Sequence, residues 1–270
     1  MKDGFYSSIK TLKSREMSLQ SPPNDDLYAD YNHILDLCKE KRDLPPISIE
    51  ESTKILKKMK TGVVDVYSIS PAHFINAGKA GLDHFNHLMN SIIDDTNNAS
   101  IEEMNSCYAM LIHKGHGKVR TKDSSYRTIS TCPVASKAID LYIRDLYKHR
   151  WSSKEAPTQY QGEGSSHELA ALLITEAIQY SLWSLKEPAY LLFLDAKSAF
   201  DKVLPELLIR NLYLSGMDGS SINLINNRLT NRLTYLDWNR SIMGPIKDEL
   251  GLEQGGPLQV IIINFTVMKT

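Results

Sequence analysis

Asp195 closes the apolar run Tyr190-Leu-Leu-Phe-Leu194 and opens the segment Asp195-Ala-Lys-Ser-Ala-Phe200-Asp201. Five aromatic and aliphatic residues ahead of a carboxylate read as a short buried strand that stops at a charge. An ionised Asp at that position is costly unless a cation meets it or water solvates it. Two readings stay open from these residues. Asp195 holds a hard divalent cation such as Mg²⁺, for which carboxylate oxygens are suited. Otherwise it is a solvated strand end that caps the following helix. The second carboxylate, Asp201, lies six positions on. A phosphatase-like pair needs carboxylates two residues apart on one loop, and this spacing does not provide that.

A second group that could do chemistry is the loop His113–Tyr126. It carries Lys114, Lys118, Arg120 and Lys122 against the single acid Asp123, with Gly115 and Gly117 to let the backbone turn tightly. Such a loop can wrap a polyphosphate or stand as an exposed charged turn. Tyr108–Ile112 reads as the strand before it and Arg127–Ser130 as the partner after it.

The elements that must position these residues are mainly helical. Residues 1–47 are polar, with prolines at 22, 23, 45 and 46, and are expected to be a loose segment with one helix over Leu27–Lys41. Ser48 and Glu51 fit a capping box that opens a helix with Ile55, Leu56 and Met59 on one side. Pro71 starts a further helical stretch, with Phe74, Leu82, Phe85, Leu88, Met89, Ile92 and Ile93 as its apolar stripe. Val134–Arg150 reads as a long amphipathic helix with Ile139, Tyr142, Ile143 and Leu146 inward. Ser165 and Glu168 form a second capping box, before Leu169, Leu172, Leu173, Ala177 and Ile178. Helices are expected at Pro205–Leu214, stopped by Gly216, and at Ser220–Leu233. Tyr235–Trp238 and Ser241–Ile246 read as a strand pair.

Composition narrows the class only a little. The chain has 270 residues, 31 basic and 32 acidic side chains and a formal charge of −1, so global charge argues neither for nor against nucleic acid. Its three cysteines, Cys38, Cys107 and Cys132, form no CxxC pair and read as reduced, structural thiols. No apolar run reaches the length of a membrane span, and the N-terminus lacks an apolar signal core. An intracellular location, nuclear or cytoplasmic, is expected.

Four segments in order give the strongest signal. Tyr126-Arg127-Thr128-Ile129-Ser130 resembles the fingers motif of reverse transcriptases, usually Tyr-Arg-Pro-Ile-Ser. Gln159-Tyr160 through Ser165-Ser166 is similar to the segment that follows it. Asp195-Ala-Lys-Ser-Ala-Phe200-Asp resembles the first palm motif, and Gln254-Gly255-Gly256-Pro257-Leu258 the second. The resemblance is especially to the enzymes of non-LTR retrotransposons and covers about residues 50–265. Lys57–Ser70 resembles their lysine-rich lead-in.

The resemblance implies an α+β, helix-rich right-hand polymerase: fingers at about 48–160, an incomplete palm at about 161–270, and no thumb. It implies RNA-directed DNA polymerisation by two-metal phosphoryl transfer, with an RNA template, a DNA primer and deoxynucleoside triphosphates as partners and no membrane. Asp195 would be the catalytic carboxylate, binding Mg²⁺ together with the backbone carbonyl of Ala196. Arg127, with Arg120 or a neighbouring lysine beside it, would contact the triphosphate through a planar guanidinium that is always charged. Phe200 would be the gate beneath the sugar. Gln254 and Gly255 would line the nucleotide and template pocket. Asp201 is expected to be structural or capping.

The departures from the family pattern are specific. Thr128 stands where proline is usual, and Gly256-Pro257-Leu258-Gln259 lacks the common Ser-Pro ending. No Asp-Asp motif follows Gln254. The expectation is therefore a fragment cut before the third palm motif and inactive by itself, or a remnant that at most binds nucleic acid.

Overall fold

The computed structural model describes residues 2–14, 25–94, 102–115, 117–152, 166–193, 199–238, 241–253 and 256–258. The chain divides into two compact units: residues 1–144 with 198–270, and residues 145–197.

In the first unit, α1 spans Lys2–Lys13 and α2 spans Asp25–Cys38. The α1 helix departs from the expectation of a loose N-terminus with one helix. Its apolar side chains Phe5 and Ile9 are spaced four apart on one face and are buried. Each such side chain contributes about 1.5–3 kcal/mol on burial. Next come α3 at Ile49–Lys58, α4 at Pro71–Asn76, α5 at Gly78–Asp94 and the single turn α6 at Glu102–Asn105. The Ser48–Glu51 capping box is present in full, with each residue's side chain bonded to the other's backbone N–H. The helix after Pro71 is split in two at Ala77. Phe85, Met89, Ile92 and Ile93 of α5 are buried as the stripe predicts.

Strand β1 spans Ser106–His113 and β2 spans Tyr126–Thr131, and they pair antiparallel with Tyr108 opposite Thr131 and His113 opposite Tyr126. Helix α7 follows at Val134–Ser152, its first-turn Val134 N–H donating to Asp65 Oδ2 at 2.9 Å. Ile139, Tyr142 and Ile143 are buried, whereas Leu146 is exposed.

The second unit contains α8 at His167–Gln179 and a π-helical turn at Tyr180–Leu185 that ends on Lys186 with φ 59°. The N-cap of α8 is Ser166, whose side chain accepts from Leu169 N–H. The expected cap, Ser165, lies outside the described residues. Leu169, Leu172 and Leu173 are exposed rather than buried.

The expected buried strand at Tyr190–Leu194 does not form over its described part. Tyr190–Phe193 are irregular, with Tyr190 89% and Phe193 79% exposed. A run of apolar residues states a tendency to be buried, but a strand also needs a neighbour to take its backbone hydrogen bonds. None of the described strands pairs with this run.

Back in the first unit are α9 at Pro205–Leu214 and α10 at Gly219–Thr230, followed by β3 at Leu233–Trp238 and β4 at Ser241–Lys247. Gly216, at φ 85°, ends α9. Asp218 caps α10 through Ser221 N–H at 2.7 Å, and Asp43 accepts from Gly219 and Ser220 N–H. Two carboxylates at one helix N-terminus complement its unpaired donors and its dipole.

The sheet order is β2-β1-β3-β4, with β1 and β3 parallel and both outer pairs antiparallel. Period-2 alternation gives it two unlike faces. One carries Ala109, Leu236 and Ile246, with Leu111, Tyr126, Trp238 and Met243 around them, and α1 covers it with Phe5 and Ile9. The other carries Met110, Ile112 and Arg127, all exposed. The α+β, helix-rich class expected from the sequence is the one observed.

Candidate nucleotide and nucleic-acid interface

The basic hairpin is an ordered turn. Lys114 N–H donates to Ser125 O at 2.8 Å, and Lys114 Nζ donates to Ser124 O at 2.7 Å. His113 Nδ1 accepts from Gly115 N–H at 3.1 Å, while its Nε2 lies 3.1 Å from Lys118 O. Gly115 and Gly117 both have φ near 70°, the left-handed region the tight turn requires. Tyr126 Oη donates to Arg120 O at 3.0 Å and stacks edge-on against His113. The loop is therefore tied to its own strands.

Arg120 is exposed at the turn, and Arg127 is exposed on β2 opposite Ile112. Alternation puts Arg127 on the open face of the sheet, away from the Phe5 and Ile9 core. Thr128 and Ser130 point to the α1 side, where they line a small cleft with Lys13, Asp201, Leu252 and Glu253.

Phe200 is half-buried in the turn that leads to α9. Its carbonyl accepts from Leu252 N–H at 2.7 Å, and Val203 O accepts from Gly251 N–H at 2.8 Å. Gly251 has φ 81°, and a Cβ there would sit 2.8 Å from the backbone oxygens of both Phe200 and Asp201. The tail of the Asp195 segment and the approach to Gln254 are thus joined backbone to backbone. Asp195, Ala196, Gln254 and Gly255 themselves lie outside the described residues.

Asp201 is half-buried. Desolvation raises its pKa, while Lys13 and Arg232 pull in the opposite direction.

Behind these segments lies a buried ionic network that the sequence does not announce. Arg228 pairs with Asp140 and, at 2.7 Å, with Glu253. Arg232 Nε donates to Asp248 at 2.5 Å, and its Nη2 donates to Gly251 O at 2.9 Å. Lys13 Nζ of α1 reaches Asp248 at 3.0 Å, and Thr234 Oγ1 donates to the same carboxylate oxygen at 3.0 Å. Three cations meet three carboxylates, so the network is neutral as a whole. Burial alone would raise the Glu253 carboxyl. Arg228 and Arg232 outweigh it and hold the group at about 2. Burial likewise opposes the charge on Arg232, and Asp248 and Glu253 overcome it, raising its pKa. The network fixes the chain on both sides of Gly251, immediately before Gln254. Its members are up to 240 positions apart (Lys13 to Glu253), so only Glu253, next to the Gln254 motif, carried any local signal.

Among the described residues, one group of three side chains could hold a metal: Cys107, Cys132 and Glu253, all buried. Two sulfurs favour a soft cation and do not suit Mg²⁺. Among the described residues no helix is long and apolar enough to cross a membrane.

No curated protein matches the chain. The family model described as "Reverse transcriptase (RNA-dependent DNA polymerase)" matches residues 113–270. That match takes in the basic hairpin, Arg127, the Asp195 segment, Phe200 and the Gln254 segment, and it covers more than half of the sequence. The chain belongs to the reverse transcriptase (RNA-dependent DNA polymerase) family.

Proposed function

We propose that residues 48–270 are the fingers and an incomplete palm of a right-hand polymerase of the non-LTR retrotransposon type. The observation that carries this is the backbone junction between Phe200 and Leu252. It sets the end of the Asp195 segment beside the approach to the Gln254 segment, although Phe200 and Leu252 are more than fifty residues apart in sequence.

In this assignment Arg127 and Arg120 receive the triphosphate, because the guanidinium fork matches phosphate oxygens. Phe200 sits beneath the sugar and disfavours a 2′-hydroxyl. Gln254 and Gly255 line the nucleotide and template pocket. The Asp195 carboxylate and the Ala196 carbonyl would hold Mg²⁺, which when bound neutralises charge on the transferring phosphoryl group. RNA template and DNA primer are the macromolecular partners, and Lys114, Lys118 and Lys122 contact their phosphates.

These 270 residues contain no Asp or Glu after Glu253, so the Asp-Asp carboxylates of the family's third palm motif are not among them. In this assignment these residues bind nucleic acid and nucleotide, and Asp195 is the one metal carboxylate they supply. Metal-centred charge stabilisation supplies several kcal/mol of phosphoryl-transfer catalysis, and its loss costs orders of magnitude in rate.

The test is primer extension on an RNA template with purified chain and Mg²⁺, run beside a gel-shift titration of the same duplex. The expected result is binding that weakens steeply with salt and no synthesis. Robust synthesis abolished by Asp195→Ala would contradict the inactivity. Absence of duplex binding at low salt would contradict the interface.

A further inference from the structure

The register of β1 and β2 has a continuation outside the hairpin proper. Tyr108 faces Thr131, so the next step places Cys107 opposite Cys132. Their sulfurs lie 2.9 Å apart, and each residue is 1% exposed. Cys107 Sγ also donates weakly to Glu253 Oε2 at 3.3 Å. The third cysteine, Cys38, ends α2 and is not part of this contact.

We propose that Cys107 and Cys132 are a redox pair that closes into a reversible cross-strand disulfide when the protein meets a peroxide. Directly opposed residues on antiparallel strands have Cα atoms about 4.5–5.5 Å apart, within the range a disulfide spans. Closure needs the sulfurs to approach to about 2.0 Å, a shift of under an ångström that side-chain rotation supplies. A tetrahedral metal would need the opposite movement, with sulfurs nearly 4 Å apart at Zn–S bonds of about 2.3 Å. It would also compete with Arg228 for Glu253. The disulfide therefore fits the geometry better than the metal.

The chemistry balances without any group the site lacks except the oxidant. One thiol sulfur attacks hydrogen peroxide, the O–O bond breaks, and a sulfenic acid and one water result. The second thiol attacks that sulfur, the S–S bond forms, and a second water leaves. Two thiols and one peroxide become one disulfide and two waters. Neutral thiols become a neutral disulfide, so the Arg228–Glu253 pair keeps its charge balance. The weak S–H donation to Glu253 and the S–H···S hydrogen bond between the two thiols are lost. The hydrogen bond to Cys107 and then burial raise the Cys132 thiol well above its ordinary value. Little thiolate forms in the closed state, so oxidation proceeds through local opening and is slow. Once a sulfenic acid forms, its neighbour traps it ahead of further oxidation. The bridge would close the base of the hairpin that carries Arg120 and Arg127.

The test uses the full 270-residue chain. The protein is treated with hydrogen peroxide in native buffer, quenched, unfolded in guanidinium and alkylated, and its intact mass and peptides are read by mass spectrometry. Reduced protein should take three alkyl groups, one per cysteine. Peroxide-treated protein should take one, on Cys38, and yield a linked Cys107–Cys132 peptide that dithiothreitol dissolves. The variant Cys38→Ser should take none after oxidation and two after reduction. Three alkyl groups after peroxide, a bridge that includes Cys38, or sulfinic acids at Cys107 and Cys132 in place of the bridge would each overturn the proposal.

Discussion

The carbonyl of Phe200 accepts the N–H of Leu252 at 2.7 Å, and one residue earlier Gly251 turns through φ 81° against the oxygens of Phe200 and Asp201. Nothing larger than hydrogen fits on that Cα. The junction is therefore a backbone contact whose tolerance is set by one glycine.

Gly251→Ala should destabilise the chain by more than Gly216→Ala. Both glycines have positive φ, so both substitutions lose about 1–2 kcal/mol to the left-handed conformation. A Cβ at Gly216 meets nothing within 4 Å, whereas at Gly251 it meets backbone at 2.8 Å. Denaturant midpoints of the two variants should differ, with Gly251→Ala the lower. Equal midpoints would remove the close approach from the account.

Arg228→Met should lower stability by about 3–5 kcal/mol, because it strands Asp140 and Glu253 in a buried site. The double variant Arg228→Met, Glu253→Gln should recover part of that loss, since one uncompensated charge is gone. Urea unfolding of the two single variants and the double variant gives the coupling directly. Additive losses would mean that the pair does not interact in solution.

Two carboxylates should shift acid stability in opposite senses. Glu253 is held at about 2, below its ordinary 4.5, so its contribution is present above about pH 4.5 and lost as pH falls toward 2. Asp201 is raised above its ordinary 3.8, so its contribution is present below that value and lost as pH rises through the folded-state pKa. Glu253→Gln should therefore be least stable relative to the parent at neutral pH, with the gap closing in acid. Asp201→Asn should be more stable than the parent at neutral pH, and that gain should vanish below about pH 3.8. Thermal unfolding between pH 2.5 and 7 measures both curves, and parallel curves for parent and variants would contradict the assignments.

Local chemistry made much of the fold readable. The Ser48–Glu51 box, the Pro71 start, the Gly216 stop and both antiparallel pairs follow from contacts within a few residues, and all are present. The parallel β1–β3 pairing joins segments more than a hundred residues apart, and no local pattern encodes it. Spacing showed Cys107 and Cys132 as isolated thiols because strand register, not sequence proximity, brings them together. Tyr190–Phe193 shows the reverse case, a local apolar signal without the long-range partner that would make it a strand. The basic hairpin and Arg127 were legible as a candidate site because their signal is contiguous. The Arg228 and Arg232 network was not, since each ion pair is settled only by tertiary contact.

Equilibrium titration of the purified chain with dCTP and CTP in the presence of Mg²⁺ tests the nucleotide site. The two ligands differ only in the 2′-hydroxyl. dCTP should bind more tightly than CTP, and Phe200→Ala should bring the two affinities together. Arg127→Ala should weaken both about tenfold or more, as expected for a lost charge-assisted contact of about 1.5–3 kcal/mol. Equal binding of dCTP and CTP by the parent chain, with affinity unchanged in Arg127→Ala, would contradict the nucleotide site.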